Sequence, residues 1–170
     1  MRSCRIVMFA STLVVGIALG SGVSAQEQPS TPRGVTVTKH ASGSFDVKVI
    51  PQKPDNKEAE AANFQRLSLD KQFHGDLDGT SQGEMIGSLS EVKGSGGYVA
   101  MERVRGILNG RKGTFVLQQS GTMTGGVPKM TVTVVPDSGT GELIGLSGSM
   151  AIRIDAGGKH FYDFEYTLPQ

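Results

Sequence analysis

The last strand-like run of the chain reads FYDFEYTL, residues 161–168, and in it apolar and polar side chains alternate. Alternation with a period of two places one set of side chains on each face of a β-strand. Similar runs, such as MTVTVV at 130–135, follow one another from residue 64 onward, and glycine or another turn former separates almost every pair. This pattern predicts an all-β domain.

Turn signals divide the domain into strands joined by hairpins. Asn109-Gly110 is the strongest two-residue hairpin signal in the chain. Pro51 and Pro54 are predicted to end the first strand, because proline cannot donate to a strand ladder. Helix formers at 57–62 predict one short helical connection. The predicted strands cover residues 35–50, 64–74, 80–89, 98–108, 114–123, 129–135, 146–155 and 159–168.

These strands predict an eight-stranded antiparallel up-and-down β-barrel, since closure of the sheet removes exposed edges. Glycines inside the strands suit the sharp bends that barrel corners require. A barrel of this size has a lumen wide enough for side chains or for one small ligand. A two-sheet sandwich is the alternative, and the long, hairpin-connected strands favour the barrel.

The N-terminal residues predict export. Arg2 and Arg5 precede an uncharged apolar stretch, and Val23-Ser24-Ala25 provides the small residues that signal peptidase recognises. We therefore expect a signal peptide at 1–25, a flexible linker at 26–34 and a single barrel domain at 35–170, in a periplasmic or secreted protein. An uncleaved membrane anchor is the alternative, but the apolar stretch is shorter than the roughly 20 residues that a span needs.

Composition excludes several classes of function. Without residues 1–25 the chain has 15 basic and 16 acidic residues, so it lacks the basic surface that nucleic acids or anionic membranes require. No cysteine remains, which excludes thiol chemistry. The histidines are far apart in the sequence, without the His-x-x-x-His or His-x-His spacing of metal ligands: His40, His74 and His160. The glycine-rich segments lack the Gly-Lys-Ser/Thr ending of a phosphate-binding loop. We therefore expect no metal and no cofactor.

Four segments carry a family resemblance: RLSLDKQFHGDLDGTSQGEM at 66–85, GYVAMERVRGILNGRKGTFVLQQSGTM at 97–123, VTVVPDSGTGELIGLSG at 132–148 and HFYDFEYTLP at 160–169. They resemble a bacterial family called domain of unknown function 3224, which in turn is similar to the allene oxide cyclase-like barrels. The resemblance implies an eight-stranded antiparallel barrel and a homo-oligomer. It implies little about activity, and no functional residue can be carried over from it.

Glu102 is the leading candidate for a site residue. It alternates with Tyr98 on its strand, while Arg103 and Arg105 occupy the other face, so Glu102 is predicted to point inward. We predict that Lys71 and Gln119, which lie on otherwise apolar faces, join it in an inward polar group that binds a ligand together with Tyr98. Glu102 would be the acid or base of any reaction there. A structural buried ion pair is the alternative.

Three functions are compatible with this sequence. The first is a barrel that binds a small apolar molecule in its interior. The second is a cofactor-free isomerase or cyclase acting on a small hydrophobic substrate. The third is a structural oligomer with a filled lumen. An apolar cavity of about 300 Å³ or more would support the first two functions, and a packed lumen would support the third.

Overall fold

The computed structural model describes residues 37–62 and 64–169, so the predicted signal peptide and linker lie outside the described residues. The described chain contains one short helix, α1 (Lys57–Ala61), and one 3-10 turn at Gly141–Leu143. Its eight strands are β1 (Lys39–Gln52), β2 (Gln65–Gly75), β3 (Leu77–Leu89), β4 (Gly96–Leu108), β5 (Arg111–Thr124), β6 (Val127–Val134), β7 (Ser147–Ile154) and β8 (His160–Thr167). None of the helices in this part of the chain is long and apolar enough to cross a membrane.

The strands form a closed antiparallel barrel in chain order, in which β8 pairs with β1. The prediction of an eight-stranded barrel with one short helical connection is therefore confirmed, and the alternative of a sandwich is wrong. The predicted hairpin at Asn109-Gly110 is also present. Leu108 pairs with Arg111, and both turn residues have positive φ angles of 46° and 81°. Such angles match the twist of a tight hairpin.

The two ends of the barrel differ. We call the end that carries the Asn109-Gly110 turn and the 3-10 turn the closed end, because Leu143 and Leu146 pack into the core there. Three aromatic residues of β8 also lie in this core and are all buried: Tyr162, Phe164 and Tyr166. Side chains therefore fill the lumen from the closed end to about the middle of the barrel.

At the opposite end, which we call the open end, the wall is incomplete. β6 and β7 share a single residue pair, Thr133 with Ser149, and they do not pair further towards the open end. β8 pairs with β1 only from Lys39 to Phe45, so the second half of β1 has only β2 as a neighbour. The barrel is therefore open on the side of β7 and β8.

This opening explains one wrong prediction. β1 does not end before Pro51 but continues through it to Gln52, with Pro51 opposite Leu67 on β2. A proline in a central strand would remove a ladder hydrogen bond. Because β1 has a neighbour on only one side at this point, the missing N–H group is tolerated.

A candidate ligand site at the open end

Glu102 lies inside the barrel with only 1% of its surface exposed. Lys71 Nζ donates to Glu102 Oε1 over 2.7 Å, and Gln119 Nε2 donates to the same oxygen. Ser81 Oγ donates to Oε2 over 2.6 Å. Lys71, Gln119 and Ser81 are themselves buried. A buried charge must be paired and hydrogen-bonded, and this cluster meets both conditions.

Strand register brings these side chains together. Lys71 on β2 lies opposite Ser81 on β3, and Glu102 on β4 lies opposite Gly83, two residues further along β3. A Cβ atom at Gly83 would come within 2.6 Å of Glu102 Cβ, so the glycine leaves room for the glutamate. Ser81 is not among the residues predicted from sequence. The available signal was its alternation with Gly79 and Gly83 on the inward face of β3.

The polar cluster is complete within the protein. The two oxygens of Glu102 accept hydrogen bonds from three side chains, and Lys71 Nζ also lies 4.9 Å from the centre of the Phe45 ring. Among the described residues, no buried side-chain nitrogen or oxygen lacks a hydrogen-bond partner. This arrangement is typical of a structural ion pair.

A separate pocket of about 210 Å³ occupies the open end. Six apolar side chains at inward-facing positions line it: Leu67, Met85, Leu89, Met123, Pro128 and Met130. Leu89, Met123 and Met130 among them are exposed at the rim. Its volume is below the roughly 300 Å³ that marks a typical site for a drug-sized ligand. Lys71, Glu102 and Gln119 are not among the residues that line it. The pocket is therefore small and mainly apolar.

Tyr98 is the predicted site residue that does line this pocket. It shares a row across β3, β4 and β5 with Gly87 and Gly121. A Cβ atom at Gly121 would lie 2.8 Å from Tyr98 Cζ, so the ring occupies the space above that glycine. Burial raises the pKa of Tyr98, and the negative charge of Glu102 raises it further. The phenol is therefore neutral at physiological pH.

The structure thus brings Lys71, Glu102 and Gln119 together and places Tyr98 apart from them in the pocket. Binding or catalysis by these residues stays a prediction. His160, the first residue of β8, lies with the centre of its ring 5.0 Å from that of Phe45. Within residues 37–62 and 64–169, no three His, Cys, Asp or Glu side chains are grouped as a metal site would require.

A second depression lies on the outer surface of the barrel. This outer groove has a volume of about 680 Å³ and is lined by Phe64, Ile86, Val99 and Ser120, among others. The groove and the pocket share the row of residues formed by Gly87, Tyr98 and Gly121. Because two of these residues are glycines without side chains, only the backbone separates the two depressions there. The outer groove is the more open of the two, so a ligand would lose less contact with water there than in the pocket.

Comparison with known proteins identifies the family. The profile described as "Protein of unknown function (DUF3224)" matches residues 41–166. The chain belongs to the DUF3224 family. A solved structure of a DUF3224 protein of unknown function from Shewanella oneidensis MR-1 is 46% identical to it, with a TM-score of 0.72. The match covers 79% of this chain and 99% of the other. No curated protein matched this DUF3224 chain.

Proposed function

We propose that this DUF3224 protein is exported and binds one small, predominantly apolar molecule at the open end of its barrel. The observation that supports the proposal best is the pocket of about 210 Å³ with its apolar inward side chains. Burial of apolar surface contributes about 25 cal/mol per Å² and drives such binding. Methionine side chains adapt to irregular ligands, and Met85, Met123 and Met130 all contribute to the lining.

The size of the pocket limits the ligand. A molecule that fills about 210 Å³ is smaller than a typical drug, unless part of it projects into the gap beside β7. Because the lumen is packed from the closed end to its middle, we place the ligand at the open end and not along the whole interior. The pocket is smaller than the roughly 300 Å³ expected of a ligand site, and the filled half of the barrel is what the alternative of a structural oligomer predicts.

The geometry favours binding over acid–base catalysis. Glu102 was the candidate acid or base, but its oxygens accept hydrogen bonds from Lys71, Ser81 and Gln119. A general base must lie within hydrogen-bond reach of the proton that it removes. Since Glu102 does not line the pocket, the isomerase alternative has no observation that supports it over simple binding.

Fluorescence of the neutral apolar probe N-phenyl-1-naphthylamine tests the proposal. Binding in an apolar pocket increases the emission of this probe, and we expect a saturable titration with one site per chain. The chain contains no tryptophan that would interfere. Native mass spectrometry of protein purified from its own host would identify a co-purified molecule. A probe signal that does not saturate, together with no co-purified molecule, would contradict the proposal.

Two matched variants distinguish the pocket from the outer groove. A Cβ atom at Gly87 meets its nearest neighbours at 3.4 Å and 3.5 Å, which is ordinary contact, so Gly87→Leu places a side chain in the pocket without a backbone clash. Ser120 lines the outer groove and not the pocket. We expect Gly87→Leu to weaken probe binding and Ser120→Leu to leave it unchanged. The reverse result would place the ligand outside the barrel.

Export rests on the N-terminal sequence and needs its own test. After expression in a Gram-negative host, we expect the protein in the periplasmic fraction, with a mass that corresponds to a chain beginning at Gln26. Recovery of the uncleaved chain in the cytoplasm would contradict export but would leave the binding proposal intact.

A further inference from the structure

Tyr98 is the half-buried polar side chain in a pocket with mainly apolar walls. Gln65 also belongs to the lining, but it is exposed at the rim. The other polar residues of the lining occupy positions that face outward, so their side chains point away from the interior: Ser88, Thr122 and Lys129. A ligand that enters the pocket therefore meets one polar group below the rim, the Tyr98 hydroxyl.

The Tyr98 hydroxyl is available to a ligand. Within the described part of the chain, no residue makes a hydrogen bond to it, in contrast to the other two tyrosines. The Tyr162 hydroxyl accepts a hydrogen bond from the Leu77 N–H group, and that of Tyr166 accepts one from Asn109 Nδ2. Neither Gly87 nor Gly121, the neighbours of Tyr98 in its row, has a side chain that could compete for the hydroxyl.

The nearby charges favour a neutral ligand. Lys71 is the buried cation of the barrel interior, and it is already paired with Glu102. Lys129 also borders the pocket, but it is exposed and lies at an outward-facing position opposite Thr122. An anionic ligand inside the pocket would therefore find no buried cation to balance its charge, and none of the described lining residues is a carboxylate that could pair with a cationic ligand. Burial of an unpaired charge is costly, so both kinds of ligand are disfavoured.

These observations extend the proposed function and rest on it. We infer that Tyr98 selects neutral ligands that carry a hydrogen-bond acceptor, such as a ketone or ether oxygen, by donating its phenolic hydrogen to that acceptor. The apolar walls hold the hydrocarbon part of the ligand, and Tyr98 sets its orientation. The phenol remains a donor at physiological pH because burial and the charge of Glu102 raise the pKa of Tyr98.

A pair of matched ligands tests this selectivity. 2-Acetylnaphthalene and 2-ethylnaphthalene have the same ring system and similar size, but only the first has an acceptor oxygen. Their affinities are measured by displacement of N-phenyl-1-naphthylamine. In Tyr98→Phe, we expect the ratio of ketone affinity to hydrocarbon affinity to fall about three- to tenfold, since one neutral hydrogen bond is lost.

Tyr162→Phe is the matched control, because it also removes a tyrosine hydroxyl but one that bonds to Leu77 in the packed core. The affinity ratio of this variant should equal that of the wild type. An unchanged ratio in Tyr98→Phe would overturn the inference, and so would an equal loss in both variants. If neither naphthalene displaces the probe from the wild type, or if the probe itself does not bind, the proposed function fails instead.

Discussion

Substitution of Lys71 by methionine tests whether the buried cluster is a structural ion pair. Methionine keeps the length and apolar stem of the lysine but removes the ammonium group that lies 2.7 Å from Glu102 Oε1. Glu102 would then keep only Gln119 and Ser81 as hydrogen-bond donors in the core, with no cation beside it. We therefore expect Lys71→Met to destabilise the fold strongly.

The magnitude follows from the burial of both groups. The side chain of Lys71 is 6% exposed and that of Glu102 is 0% exposed, so water cannot replace the lost partner. Removal of one partner from a buried ion pair costs about 3–5 kcal/mol. The free energy of unfolding of a natural domain is about 5–15 kcal/mol, so this loss would be a large part of the total.

A second substitution should restore most of that stability. In Lys71→Met/Glu102→Gln, the new amide accepts from Gln119 through its oxygen and donates to Ser81 through its nitrogen, so the cluster is neutral and its three polar side chains remain hydrogen-bonded to one another. We expect the double variant to unfold within about 1–2 kcal/mol of the wild type, because a neutral, hydrogen-bonded cluster avoids the cost of desolvating charge.

Equilibrium unfolding in urea, followed by far-ultraviolet circular dichroism, measures these differences, and equal m-values would show that the variants unfold alike. Lys48→Met, at an exposed position on β1, is the control and should change stability by less than about 0.5 kcal/mol. A cost of less than about 1 kcal/mol for Lys71→Met, or a double variant less stable than the single one, would contradict a structural ion pair.

Four further changes have expected outcomes. Gly121→Ala should shift the Tyr98 ring, lower stability by about 1–3 kcal/mol and weaken probe binding, as urea unfolding and titration would show. Phe115→Ala should cost about 3–5 kcal/mol in the same assay, because Phe115 is fully buried in the core. Tyr162→Phe should cost about 1–3 kcal/mol, since it leaves the Leu77 N–H group without this partner. Burial raises the pKa of both Tyr98 and Tyr162 in the folded state, so the unfolded chain releases these protons first. The stability of the wild type should therefore fall as pH rises through about 10. The urea midpoint, measured at pH 8 and above, should decline less in Tyr98→Phe/Tyr162→Phe than in the wild type.

The candidate site could be predicted only in part. Alternation along β4 placed Glu102 inside, and alternation along β2 and β5 did the same for Lys71 and Gln119, so these residues were identified from sequence. Ser81 was not identified, because a serine between glycines also fits a turn or an exposed strand. The separation of Tyr98 from the polar cluster also depends on the ring position above Gly121, which the pattern along β4 does not contain.

The sequence by itself determined the strands, their faces and their antiparallel order, since these follow from local periodicity and turn chemistry. Only the tertiary structure decided how completely the barrel closes. β6 and β7 separate after one pair, and β1 continues past β8 through Pro51. Such features depend on contacts between strands that are distant in the chain. The incomplete pairing of these strands places the pocket at the open end, away from Glu102. The position of empty space in a barrel depends on how side chains from facing walls pack together, and the pattern within one strand does not contain this information.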